Sequence, residues 1–243
     1  MIAFELAIQD THGIAVAARL GIDRVELCAA LPLGGITPSF ALIEAATGTP
    51  GAPPVHVLIR PRPGGFEYAT AESDVIVRDV RHALSAGASG VVVGGTRDGR
   101  VDAALIGRVV EAAGGRVTFH RAFDTLRDPV AALGTLAGLG VHRILTSAGA
   151  THVADALPAL AELVEAAAGR IEIMAGGGVR PELVEKIART GVAAIHASAK
   201  HVVPETVGVG LGSAAPAGGA GRETTDEDGA RRLRDAVLSS RPG

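Results

Sequence analysis

The stretch Val117-Thr118-Phe119-His120-Arg121-Ala122-Phe123-Asp124 brings an imidazole, a guanidinium and a carboxylate together at the end of a short apolar run. Such a run reads as a buried strand, and the carboxyl ends of parallel strands are where α/β proteins place their ligands. His120 in that position is a candidate proton carrier, with Asp124 orienting either His120 or Arg121. Glu5, Glu26 and Arg60 fall late in other apolar runs, offering two acid/base groups and an anion clamp. A third group follows Ile171–Ala175. The glycines Gly176, Gly177 and Gly178 lead into Val179-Arg180-Pro181, beside Ser198 and Lys200 at the end of a neighbouring run. Backbone N–H groups in a Gly-rich turn approach anions closely, so Gly176–Gly178, Ser198 and Lys200 are expected to bind phosphate or another anion. The equally simple alternative is a tight turn that needs glycine for its backbone. Arg62, in the stiff segment Arg60-Pro61-Arg62-Pro63, adds a second cation to the anion site.

These residues need a frame. Eight short apolar runs, Ile2–Ile8, Arg24–Cys28, Val55–Arg60, Gly90–Val93, Val117–Arg121, Arg143–Ser147, Ile171–Ala175 and Ala194–Ser198, alternate with amphipathic stretches. Those stretches finish on Gly21, Gly87, Gly114, Gly140, Gly169 and Gly191, where a left-handed cap is expected. Eight β-α units in about 200 residues predict a (β/α)8 TIM-type barrel in a single domain, 1–243, in preference to a doubly wound open sheet. Residues 201–225, rich in Gly, Ala and Pro, predict a flexible loop, and residues 226–240 a C-terminal helix capped by Thr225 or Asp226.

Parity then assigns faces. A barrel strand turns alternate residues toward its helices, and that face must be apolar. With Phe4, Leu6 and Ile8 outward, Ala3, Glu5 and Ala7 point inward; with Val25 and Leu27 outward, so do Glu26 and Cys28. The same rule sends His56, Leu58 and Arg60, Thr118 and His120, and His196 and Ser198 inside. Buried charges must be paired or neutralised. Glu5, Glu26 and Arg60 therefore form either a structural network or an acid/base site.

Composition narrows the function classes. The chain has 243 residues, a net charge of −3, one cysteine and 47% hydrophobic residues. It has no basic block to recommend nucleic acid and no apolar run long enough to span a bilayer. The N-terminus goes straight into a strand pattern, so no signal peptide is expected. A lone Cys28 excludes an intrachain disulfide and suits a cytoplasmic chain. It reads either as a core residue or as a soft-metal ligand. His12, His82, His142, His152 and His201 lie in helical or loop segments and are expected at the surface.

Six segments together carry a family resemblance. Arg24–Cys28, Gly34–Ser39, Ile59–Arg62, Phe119–Asp124, Ile144–Ser147 and Ile173–Arg180 resemble, in order and spacing, the CutC (copper homeostasis protein) family over residues 2 to about 200. The resemblance implies a cytoplasmic (β/α)8 barrel, a homo-oligomer, and copper binding by two inward cysteines that end the first and second strands. The second of these matches Cys28; the first falls on Ala7. The tail after Lys200 also departs, lacking the family's Arg-Asn motif. Two expectations follow, a copper-handling protein using Cys28, and an enzyme or sensor for a small anionic or phosphorylated molecule.

Overall fold

A computed structural model describes residues 2–204 and 221–241. Eight parallel strands, Ala3–Ile8, Arg24–Leu27, Val55–Leu58, Gly90–Val93, Val117–Phe119, Arg143–Thr146, Glu172–Ala175 and Ala194–Ala197, close into a barrel in chain order. The first strand pairs with both the second and the eighth, setting Glu5 opposite Arg24 on one side and His196 on the other. Helices alternate with the strands on the outside, as a (β/α)8 barrel requires. No helix among the described residues is long and apolar enough to cross a membrane.

The hydrophobic pattern explains the closure. Phe4, Leu6, Ile8, Val25, Leu27, Val55, Val57, Ile59, Val117, Phe119 and Ile195 all sit in one buried layer between strands and helices. These are the residues that parity turns outward. In the fourth and sixth strands, where outward and inward residues are alike in polarity and the sequence assigns no face, Val91, Val93 and Ile144 join that layer, while Val92 and Leu145 turn inside. Helix starts are capped by Asp10, Ser39, Asp102, Asp128 and Asp226, each accepting a backbone N–H two or three residues into its helix. Gly21 and Gly114 take the left-handed cap at helix ends, with φ of 61° and 60°.

Two segments differ from the pattern in the sequence. The run ending in Arg121 stops as a strand at Phe119, and Arg121–Thr125 forms a 3-10 turn begun by His120, whose ring accepts the Ala122 N–H. Residues 201–225 are not loop throughout. Lys200–Val203 and Arg222–Thr225 pair as an antiparallel hairpin, and the intervening residues 205–220 lie outside the described ones. The β-branched pairs Val202–Val203 and Thr224–Thr225 supply the strand preference that the Gly/Ala composition of the segment hides.

Candidate functional site

Inside the barrel the side chains separate by polarity. Cys28, Leu58 and Val92 form one apolar cluster, and Leu145, Met174 and Ala194 another. Between them lies a charged network. Glu5 is wholly buried and accepts from Arg24 Nε through one oxygen and from His196 Nδ1, at 2.8 Å, through the other. Arg24 Nη2 also rests 3.3 Å from the Met174 sulfur. Glu26 stands beside Ala7 in the strand register, and its Oε2 is buried without a hydrogen-bond partner. One ligand atom from each of Glu5, Glu26 and His196 lies within 4.8 Å of the others.

Electrostatics give the three groups different tasks. Burial acts to raise Glu5, but the His196 hydrogen bond and the Arg24 charge overcome it and hold the carboxyl well below the usual range. Glu5 is therefore an anion that fixes a proton on His196 Nδ1. Burial pushes Glu26 up to about 7, with Glu5 adding to the rise and His196 and Arg24 opposing it. Burial alone would lower His196, but Glu26 and Glu5 raise it above the ordinary imidazole value. A buried carboxyl raised to about 7 and an imidazole raised above its ordinary value sit side by side. Cys28 differs, since burial first and the Glu26 charge second push its thiol far up, and Sγ lies 3.5 Å from the Ile8 carbonyl.

Above the network the barrel mouth is hollow. One cavity of about 530 Å³ is bordered by Ala7, Arg121, His152, Gly177, His196 and Ser198. A second, of about 390 Å³, lies over Arg60, Phe66, His120 and Leu145. Gly34, Arg121 and His196 border both, so the two are lobes of one mouth. Arg121 is held by Asp124, which accepts from its Nε at 2.8 Å, and by Ser147 Oγ and the Ala150 carbonyl on Nη2. Asp124 itself accepts from Thr146, Ser147 and Gly149. Asp124 thus orients Arg121, and not His120.

The residues proposed from sequence fall into three groups. Glu5, Glu26, His120 and Cys28 are interior, and Gly177, Gly178 and Ser198 border the larger lobe. Gly178 is needed there, because its φ is 69° and an added Cβ would collide with His152. Gly176 lies beneath, where a Cβ would meet Leu145 and His196. Arg60 borders the smaller lobe, yet its Nη atoms are given to the carbonyls of Leu33, Gly35 and Gly64. Arg62 and Lys200 are taken out of the mouth by partners no local pattern reveals. Arg62 pairs with Glu72 at 2.5 Å, and Lys200 with Glu223 at 2.9 Å across the hairpin. His152 is exposed, as expected, and also borders the larger lobe. Arg24 and the role of Arg121 escaped the sequence pattern, although Arg24 shares the inward parity of Glu26.

Comparison with known proteins agrees with this fold. The CutC family model matches residues 2–201. A CutC family protein of Agrobacterium fabrum is 43% identical over 245 residues, covering 98% of this chain and 95% of its own. A solved structure from Streptococcus agalactiae, of a protein named CutC for copper homeostasis, superposes with a TM-score of 0.77 at 32% identity. That match covers 81% of this chain and 98% of the other. A 3-hexulose-6-phosphate synthase, with a TM-score of 0.59 at 18% identity over 97% of this chain and 100% of its own, shares the fold alone.

Proposed function

Since the chain belongs to the CutC family, we propose that its barrel mouth binds a small anionic, phosphate-bearing molecule and exchanges a proton with it. The observation that carries this is the buried Glu26 carboxyl, raised to about 7, beside a His196 ring that borders both lobes. Glu5 keeps the proton on His196 Nδ1, which leaves Nε2 as the exchanging atom. Glu26, within 4.8 Å, stores or supplies the proton, a separation that one water bridges. Arg121, fixed through Asp124 and Ser147, attracts the anionic group, with Gly177, Gly178 and Ser198 as the wall of its lobe. The proposal places the protein in the cytoplasm, where a lone thiol stays reduced, and as the homo-oligomer that the family resemblance implies.

The test is thermal unfolding with inorganic phosphate and a panel of phosphate esters. A ligand at 100 times its Kd adds about 2.7 kcal/mol of stability. We expect at least one ester to raise Tm, and Arg121→Ala to remove that rise. A panel that shifts nothing sinks the proposal.

Copper homeostasis, the role in the family's name, requires a different site from the two-cysteine one. Cu(I) prefers thiolates, but Cys28 is sealed among Leu58, Val92 and Gly35 with its thiol held protonated, and Ala7 stands where a second thiolate would be. The residues do not fit Cu(I) within one subunit. The donors that do converge, two carboxylates and an imidazole, suit Cu(II) better, and this favours a second proposal in which Cu(II) is cargo at Glu5, Glu26 and His196. Arg24, already paired with Glu5, opposes a cation there. Anaerobic titration against a competing chelator should show no stoichiometric Cu(I) uptake. Cu(II) uptake, if the second proposal holds, is lost in Glu26→Gln and unchanged in Cys28→Ser. Uptake lost in Cys28→Ser would restore the cysteine site.

A further inference from the structure

The two lobes of the mouth differ in what they offer a ligand. In the smaller one the polar atoms are already spoken for. Arg60 gives its Nη atoms to the carbonyls of Leu33, Gly35 and Gly64, and its Nε is sealed from the cavity. His120 accepts the Ala122 N–H on Nδ1 at 3.1 Å, and its Nε2 is sealed likewise. Asp124 is occupied by Arg121, Thr146 and Ser147, and the Thr125 hydroxyl donates to the Ala122 carbonyl at 2.8 Å. Arg121 and His196 are the exceptions, and both stand at the junction with the larger lobe. His120 is therefore wall, where the sequence suggested a proton carrier; burial first and the Arg60 charge second lower its pKa to about 3. What the smaller lobe presents is carbon. Leu58 and Leu145 border it from the barrel interior, and Leu33, 55% exposed, continues the same wall. Phe66 completes it, half-buried and braced by the Arg60 guanidinium at 5.3 Å and the His120 ring at 4.9 Å. An exposed leucine alone means little. Four large apolar side chains around about 390 Å³, with the open polar groups gathered at one end, are the makings of a ligand pocket.

We propose that the smaller lobe receives an apolar body carried by the ligand, so that the molecule bound at Arg121 is a phosphate ester of a hydrophobic group. This rests on the mouth binding a phosphate-bearing molecule, and it adds which class of ester the mouth selects. Arg121 sets the arrangement. Its Nε and Nη2 are bound by Asp124, Ser147 and the Ala150 carbonyl, which leaves Nη1 without a partner among the described residues. A Cβ on Gly177 would lie 3.2 Å from that Nη1, so the free donor lies over Gly177, on the side of the larger lobe. The larger lobe suits the charged end, since His152, Asp155 and Arg180 are exposed around it. An ester anchored there and reaching into the smaller lobe passes His196, which borders both. The atom that exchanges its proton with His196 thus lies between the phosphate and the apolar body.

The experiment is calorimetric titration of the full chain with inorganic phosphate, methyl phosphate and phenyl phosphate at one ionic strength. Phenyl phosphate should bind at least about tenfold tighter than methyl phosphate, roughly the effect of burying two methylene groups and so a modest demand on a whole ring. Leu33→Ser, at an exposed position, and Phe66→Ala should each weaken phenyl phosphate more than methyl phosphate and so shrink that ratio. With methyl-labelled leucine, the phenyl protons should show nuclear Overhauser contacts to the Leu58 and Leu145 methyl groups. Equal affinity for the two esters overturns the apolar subsite and leaves the anion site at Arg121 standing. So does a ratio that neither variant changes, or a phenyl ring silent toward both leucines. If neither ester nor inorganic phosphate binds, the anion site falls and the apolar subsite falls with it.

Discussion

Glu5→Gln is expected to cost about 3–5 kcal/mol, because it leaves Arg24 charged and buried without its partner. For a chain of this length that corresponds to a Tm roughly 6–20 °C lower. Arg24 is 8% exposed and cannot turn to water, and the nearby Glu26 is neutral through much of its range. The loss therefore belongs to the missing charge and not to the shape of the side chain, which Gln preserves. Adding Arg24→Met to Glu5→Gln should restore most of the stability, since the orphaned charge goes with it. Melting curves of the two single variants and the double variant measure this directly. Strictly additive losses would show that the pair does not act as a unit. The pH dependence has a definite sign. Glu5 is depressed in the folded state, so its contribution is present above the ordinary carboxyl value and fades as pH falls below it.

Glu26→Gln should stabilise the protein, and increasingly so as pH rises. The folded carboxyl titrates at about 7 and the unfolded one at 4.5. Between those values the folded protein holds a proton that the unfolded chain has released. The contribution of Glu26 is thus favourable only below 4.5 and is lost as pH climbs through 7. Gln copies the protonated form without titrating. Its advantage is near zero at pH 4.5 and grows to about 3 kcal/mol at pH 7 and above, from the 2.5-unit difference. That figure is an upper bound, because His196 owes part of its raised pKa to Glu26 and loses it in the variant. His56 and His120, lowered to about 4 and about 3, add an opposite slope below the ordinary imidazole value. They do so in both proteins, so they cancel in the difference. Thermal unfolding of both proteins from pH 4.5 to 8 gives the curve, and a pH-independent difference would remove Glu26 as a neutral-range titrating group.

The barrel was legible in the sequence because its two constraints are periodic. Alternation in Ala3–Ile8 and Val55–Leu58 marks the helix-facing side, and glycine punctuation marks each return to the sheet. Glu5 and Glu26 emerged from the same parity, being polar residues on the face that does not pack against helices. What escaped was pairing across the chain. Arg24 opens its strand directly after a loop, where a charge looks exposed, and only closure of the first strand onto the second shows Glu5 opposite it. Lys200 and Arg62 looked free for an anion because Glu223 and Glu72 reach them through a hairpin and a helix start. Arg121 was legible as a rim residue, but its orientation depends on Ser147 and Ala150 from the following β-α unit.

The clamp made by Arg60 has a mechanical consequence. By gripping the carbonyls of Leu33, Gly35 and Gly64 it welds the segments after the second and third strands into one body. The backbone reinforces the weld, Thr37 donating to the Arg60 carbonyl while its hydroxyl accepts the Arg60 N–H. On the opposite arc, Arg121 ties the fifth strand's exit to the sixth, and Val153 donates to the Gly177 carbonyl beyond the seventh. The rim is therefore braced as two arcs, and Leu31 on one and Leu183 beyond the other both border the larger lobe.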